Sequence, residues 1–78
     1  MDHVALWEKA KMLLREELNP TSYSTWIDQS LIPVYVIDDR LALQYVSEFI
    51  EKTIRTRYMS IITGAVSQAA GREMTVEL

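Results

Sequence analysis

From Val4 to Leu18 the apolar residues return at spacings of three and four: Leu6, Trp7, Ala10, Leu13, Leu14 and Leu18. That period places them on one helical face. Glu8, Lys9, Lys11, Arg15 and Glu16 fall mostly on the other side, as a solvated face would, and Asp2 can cap the first turn. Asn19-Pro20 stops this helix, because a residue before proline is pushed out of the α region and proline lacks the amide a continuing helix needs. Between Thr21 and Asp28, Tyr23, Trp26 and Ile27 keep the helical spacing, which predicts a short second helix starting near Pro20 or Thr21 and pinned to the first by its aromatics.

The period then changes. Val34, Tyr35, Val36 and Ile37 are β-branched or aromatic, and Leu41, Leu43 and Tyr45 alternate with Ala42, Gln44 and Val46. These are two strands, with Asp38-Asp39 as the turn of an antiparallel hairpin. Pro33 cannot donate to a ladder and belongs at the start or edge of the first strand. Ser47 offers an N-cap with Glu48 in the first turn, and an apolar stripe from Phe49 and Ile50 through Ile54, Tyr58, Ile61, Ile62, Ala65, Val66 and Ala69 predicts one long third helix. Gly71 stands where a left-handed C-cap would sit, and Met74 to Leu78 reads as a last strand. The expected fold is α+β, a small KH-like α-α-β-β-α-β domain with helices packed on a three-stranded sheet. With 78 residues the chain has room for one domain, spanning 1–78.

Hydrophobic residues make up 49% and charged residues 24%, a globular balance that excludes intrinsic disorder. Eight Lys and Arg against eleven Asp and Glu give a net charge of -3, which disfavours a polyanionic partner. Cysteine is absent, so packing alone must stabilise the fold, and a reducing compartment suits it. No basic patch followed by an apolar run opens the chain and no long apolar stretch follows, so neither a secretion signal nor a membrane span is expected.

Catalysis needs a nucleophile with a base, a metal cluster or carboxylates sharing a pocket, and none is legible. His3 is the only histidine and lies at a terminus, so it reads as solvated rather than as a metal ligand. Glu16-Glu17 are helical neighbours pointing in different directions, and Asp38-Asp39 form a turn. Gly64 and Gly71 are seven apart with no Lys-Ser or Lys-Thr after them, which rules out a phosphate-cradling loop and the G-x-x-G clamp of KH domains. No cofactor is expected. Lys52, Arg55 and Arg57 form a modest basic cluster, an ordinary solvated face or at most a weak single-strand contact.

Leu6-Trp7, the run Leu18-x-Pro20-Thr21-Ser22-Tyr23-Ser24-Thr25-Trp26, Leu41-Ala42-Leu43, Phe49, and Arg57-Tyr58-x-x-Ile61-Ile62 together resemble domain I of the DnaA family of bacterial replication initiators, across essentially the whole chain. Immediately before the third helix, Tyr45-Val46-Ser47 replaces that family's usual Ala-Pro-Asn. The resemblance implies a cytoplasmic interaction module that self-associates weakly and recruits the replicative helicase and initiation regulators, with any ATPase in other parts of a longer protein. It matches Trp7 to self-association, and Ser22, Thr25, Trp26, Phe49 and Ile50 to partner binding.

On the residues alone, Trp7 at the edge of its stripe fits either the core or a dimer contact. Trp26 reads as core, since so small a domain has few large residues to fill it. Phe49 lies ahead of the main stripe and reads as a partly exposed hot spot. Ser22 can simply cap or solvate its helix. A KH-like single-stranded nucleic-acid binder and a stand-alone relative of the initiator domain are the alternatives.

Overall fold

The computed structural model describes residues 2–78. Helix α1 spans His3–Glu17, and the Asp2 carboxylate caps it by accepting the Val4 amide at 2.9 Å. Leu6, Trp7, Ala10 and Leu14 are its buried residues, as the three-to-four spacing predicts. Leu18 is already extended, at φ −103 and ψ 153, and the chain turns at Asn19-Pro20. The Asn19 side chain then accepts the Ser22 amide at 2.8 Å, Pro20 occupies the first helical position, and helix α2, Pro20–Ser22, begins. It runs directly into a π-helical turn, Tyr23–Asp28, which buries Ile27.

Strand β1, Leu31–Ile37, pairs antiparallel with β2, Arg40–Tyr45. Asp38 takes a left-handed conformation at φ 54, one of the few non-glycine residues suited to it. Three contacts hold this turn. Arg72 donates to the Asp38 carbonyl at 3.0 Å and pairs with the Asp39 carboxylate at 3.1 Å, and the Thr75 amide donates to the Asp39 carbonyl at 2.7 Å. β1 is an edge strand, as Pro33 requires, and the register slips between Pro33 and Tyr35, leaving Val34 in a bulge. Strand β3, Thr75–Glu77, runs parallel to β2 on its other side, giving the order β1-β2-β3.

The expected single third helix is corrected to three segments: α3, Glu48–Thr53; a π-helical stretch, Ile54–Tyr58; and α4, Met59–Ala70. Tyr58 leaves helical geometry at φ −120 and ψ −10. The Thr56 hydroxyl donates to the Lys52 carbonyl at 2.8 Å, a back-bond that competes with the backbone ladder and bends helices. A uniform apolar stripe cannot register that competition. Gly71 at φ 74 closes α4, its amide reaching the Gln68 carbonyl at 3.2 Å while the Arg72 amide reaches that of Ser67 at 3.2 Å.

α1 and α4 pack on one another, α1 also against β1 and α4 against β3. Leu41 and Leu43 of β2 enter the core beside Leu14, Ile27, Ile54, Ile62 and Met74. On the opposite face Tyr35, Ala42 and Glu77 stand in one row, and the Tyr35 hydroxyl donates to Glu77 at 3.2 Å. The result is the expected α+β fold, with helices on a mixed three-stranded sheet.

Candidate protein-interaction site

Two ties set the second helical element against α1. The Lys11 ammonium lies 3.3 Å from Asp28 in the π-helical turn and 3.3 Å from Glu8. Burial pulls its pKa down, yet the hydrogen bonds to Asp28 and Glu8 outweigh this and the balance is raised. The Arg15 guanidinium sits 5.7 Å from the centre of the Tyr23 ring. Burial raises the Tyr23 pKa, with Lys11 acting in the opposite direction. Ser30, which is buried, donates its hydroxyl to the Thr25 carbonyl and fixes the end of the turn.

Held this way, the turn presents Trp26 to the helices that follow β2. Its ring stacks on Tyr58 at 6.0 Å between centroids and 28° between planes, and meets Phe49 at 6.1 Å and 44°. Trp26 and Tyr58 are half-buried against the core, whereas Phe49 is 71% exposed, more than any other large apolar side chain among the described residues. Ser47 positions Phe49 from the other side by capping α3, its hydroxyl accepting the Ile50 amide at 3.3 Å. Three aromatic rings from three helical segments thus form one surface patch, buried at its base and open at Phe49.

The remaining sequence candidates fall around this patch or away from it. Thr25 is exposed, while Ser22 is half-buried with its amide taken by the Asn19 cap. Ile50 leans on the core. Trp26 is shared between core and surface rather than wholly interior. Tyr58 is the member that sequence reasoning left in the core stripe, although the Arg57-Tyr58 pair had marked its position. Lys52, Arg55 and Arg57 are all exposed, and Arg55 is paired with Glu51.

Of the two readings open to Trp7, the core and a dimer contact, its position fits the core. Its ring is 1% exposed, so the dimer contact expected of it has no surface to act through. α1 is covered on two sides, by α4 and by β1, and Trp7 is buried there although Leu13 and Leu18 of the same stripe stay only partly buried. The indole Nε1–H is buried and finds no hydrogen-bond partner among the described residues.

Two open hollows, of about 440 and 240 Å³, lie over the β1–β2–β3 face and between α1 and α4. Neither includes a patch residue, and their ionisable side chains are Tyr35, Tyr45 and Glu77 in the first and Lys9 and Glu16 in the second. Among the described residues no group of three or more His, Asp or Glu is placed to hold a metal, and no helix is long and apolar enough to cross a membrane.

The profile of the DnaA N-terminal domain matches residues 4–68. Over 77 residues the chain is 35% identical to the chromosomal replication initiator protein DnaA of a Thermoanaerobacter species, covering 99% of this chain and 17% of that protein. It is 31% identical to the DnaA of Caldanaerobacter subterraneus subsp. tengcongensis, with the same coverage of each chain. Identity to the DnaA of Geotalea daltonii is also 31%, covering 92% of this chain and 16% of that one. The chain therefore spans about a sixth of the length of the curated relatives it matches. With the profile match and these relatives each extending over most of its length, the chain belongs to the DnaA N-terminal domain family.

Proposed function

We propose that this domain is the protein-interaction module of a bacterial replication initiator, docking other replication proteins on the Trp26–Phe49–Tyr58 patch. One observation carries this: Phe49 is 71% exposed, yet its ring meets Trp26, which is itself stacked on Tyr58. A solvent-facing ring on a rigid base has little conformational entropy left to lose, which is the form of a binding hot spot. The DnaA names of the relatives and the family resemblance make the replicative helicase and initiation regulators the partners to test, in the cytoplasm. ATP hydrolysis is assigned to other parts of a longer initiator. Self-association through the Trp7 ring is not part of this proposal, because that ring is in the core. Any contact with single-stranded DNA is weak at a net charge of -3.

The test is Phe49→Ala, titrated calorimetrically against the purified replicative helicase or an initiation regulator from the same cell, with a thermal melt of each variant. The expected outcome is a folded domain whose affinity falls by about 2 kcal/mol or more. Unchanged affinity in a folded variant would remove Phe49 from the site. A melt that collapses together with binding would return it to the core and leave Thr25 as the better place to look.

A further inference from the structure

Resting on the patch being a docking site, we infer that its partner is an acidic amphipathic segment, whose apolar side meets the rings and whose carboxylates meet Lys52 and Arg57. The chain has eight Lys and Arg. Lys11, Arg40, Arg55 and Arg72 are committed to ion pairs with the domain's own carboxylates, and Arg15 lies over Tyr23. Among the described residues that leaves Lys9, Lys52 and Arg57 with neither an ion pair nor a ring contact, and two of these three stand on the helical run that carries Phe49 and Tyr58. Both are exposed.

Lys52 follows Phe49 by three residues, so the two are neighbours on the surface of α3. The nearby acids offset this charge only in part, since Glu48 and Glu51 stand against Lys52, Arg55 and Arg57 on the same run. Glu51 is taken by Arg55, and Glu48, four residues before Lys52, makes no ion pair with it. Lys52, a free cation beside the most exposed large apolar side chain of a chain with net charge -3, runs against its overall sign, and Arg57 adds a second unpaired cation farther along the same helical run. Their complement is a partner's carboxylates, placed to steer encounter and fix register around the apolar contact.

A nucleic-acid strand fits less well. Phosphate affinity grows with the number of cations engaged, and only two free ones stand on this run of an acidic chain. The Trp26 ring, which a base would need as a platform, is already occupied by Phe49 and Tyr58.

The experiment uses three probes: two synthetic amphipathic helical peptides with identical leucine faces, one bearing glutamates and one bearing lysines, and an oligothymidylate. Binding is followed by NMR at the two indole N–H signals, with buried Trp7 as internal control for Trp26. The glutamate peptide should shift Trp26 and spare Trp7, with an affinity that falls as salt is added. A Lys52→Glu/Arg57→Glu double variant should weaken that peptide at least about tenfold and gain affinity for the lysine peptide. Lys52→Gln/Arg57→Gln, which adds no new charge to the helical run, supplies the intermediate case and covers any loss of fold in the reversal.

Failure of the glutamate peptide to bind, equal binding of the lysine peptide, or tighter binding of the oligothymidylate at Trp26 would each overturn the inference. Helicase binding that depends on Phe49 but ignores both charge variants would sink this inference alone. A bound glutamate peptide with no helicase or regulator binding would sink only the identity of the partners.

Discussion

Two tryptophans and a phenylalanine, similar in apolar character, have three different fates at the scale of single residues. Trp7 is enclosed, Trp26 is a half-buried platform, and Phe49 stands in solvent. Depth in the packed structure separates them, and it also sets what their loss would do. Trp7→Ala leaves a cavity between α1, α4 and the sheet, and should cost about 3–5 kcal/mol, enough to unfold much of a domain this small. Trp7→Phe is predicted to be far milder. It gives up part of the ring's contact area, but it also removes an indole N–H that is buried without a partner, and an orphaned donor costs about 1–3 kcal/mol. The two terms oppose, so urea denaturation should place Trp7→Phe within about 1 kcal/mol of the native chain. A loss as large as that of Trp7→Ala would mean that the N–H is satisfied in solution, for instance by a buried water.

At the scale of elements, caps and cross-ties decide where helices stop and how they meet. Gly71 closes α4 at φ 74, a conformation that costs an L residue about 1 kcal/mol or somewhat more. A Cβ there would meet nothing within 4 Å, so Gly71→Ala should lose only that backbone term, and a thermal melt should fall by several degrees. The tie between α1 and the π-helical turn predicts a pH dependence. Lys11 has a folded pKa raised above its ordinary 10.5, so its contribution is complete below that value and is lost as pH climbs through the folded pKa. Tyr23 is raised above its ordinary 10.0, so the unfolded chain ionises first and is favoured over the same range. Both effects have one sign. Stability should decline from about pH 10 upward, and Lys11→Met should flatten that decline in melts taken across alkaline pH. An unchanged slope in the variant would show that the contacts of Lys11 with Asp28, Glu8 and Tyr23 add nothing net in solution.

At the scale of the whole molecule, one continuous core joins α1, the π-helical turn, β2 and α4, so unfolding should be all-or-none. Far-ultraviolet circular dichroism and tryptophan fluorescence should give coincident midpoints; a separate early transition in fluorescence would mean that the Trp26 patch loosens independently. How far the sequence reached follows from how local each interaction is. Asp2, Asn19-Pro20, Ser47 and Gly71 act on backbone groups within a few residues of themselves, so the boundaries they set were legible in order along the chain. The alternation in β2 and the Asp38-Asp39 turn were legible for the same reason, and the resemblance to the DnaA family pointed to Phe49 and Trp26. Other features depend on partners distant in sequence. The π-helical stretch before Tyr58 sits in a stripe whose apolar spacing looks uninterrupted. The parallel placement of β3 depends on where α4 delivers the chain. Trp7 is core because α4 and β1 pack against α1, and Tyr58 joined the patch because the turn after α2 brings Trp26 against it. Periodicity specifies which side of a helix is apolar, but not which neighbour covers it or how far the cover extends. The sequence by itself therefore determined the order of helices and strands, the capped ends and the acidic, cysteine-free character of the chain; only the tertiary structure decided where the third helix breaks, which aromatic is core, which is platform and which is left for a partner.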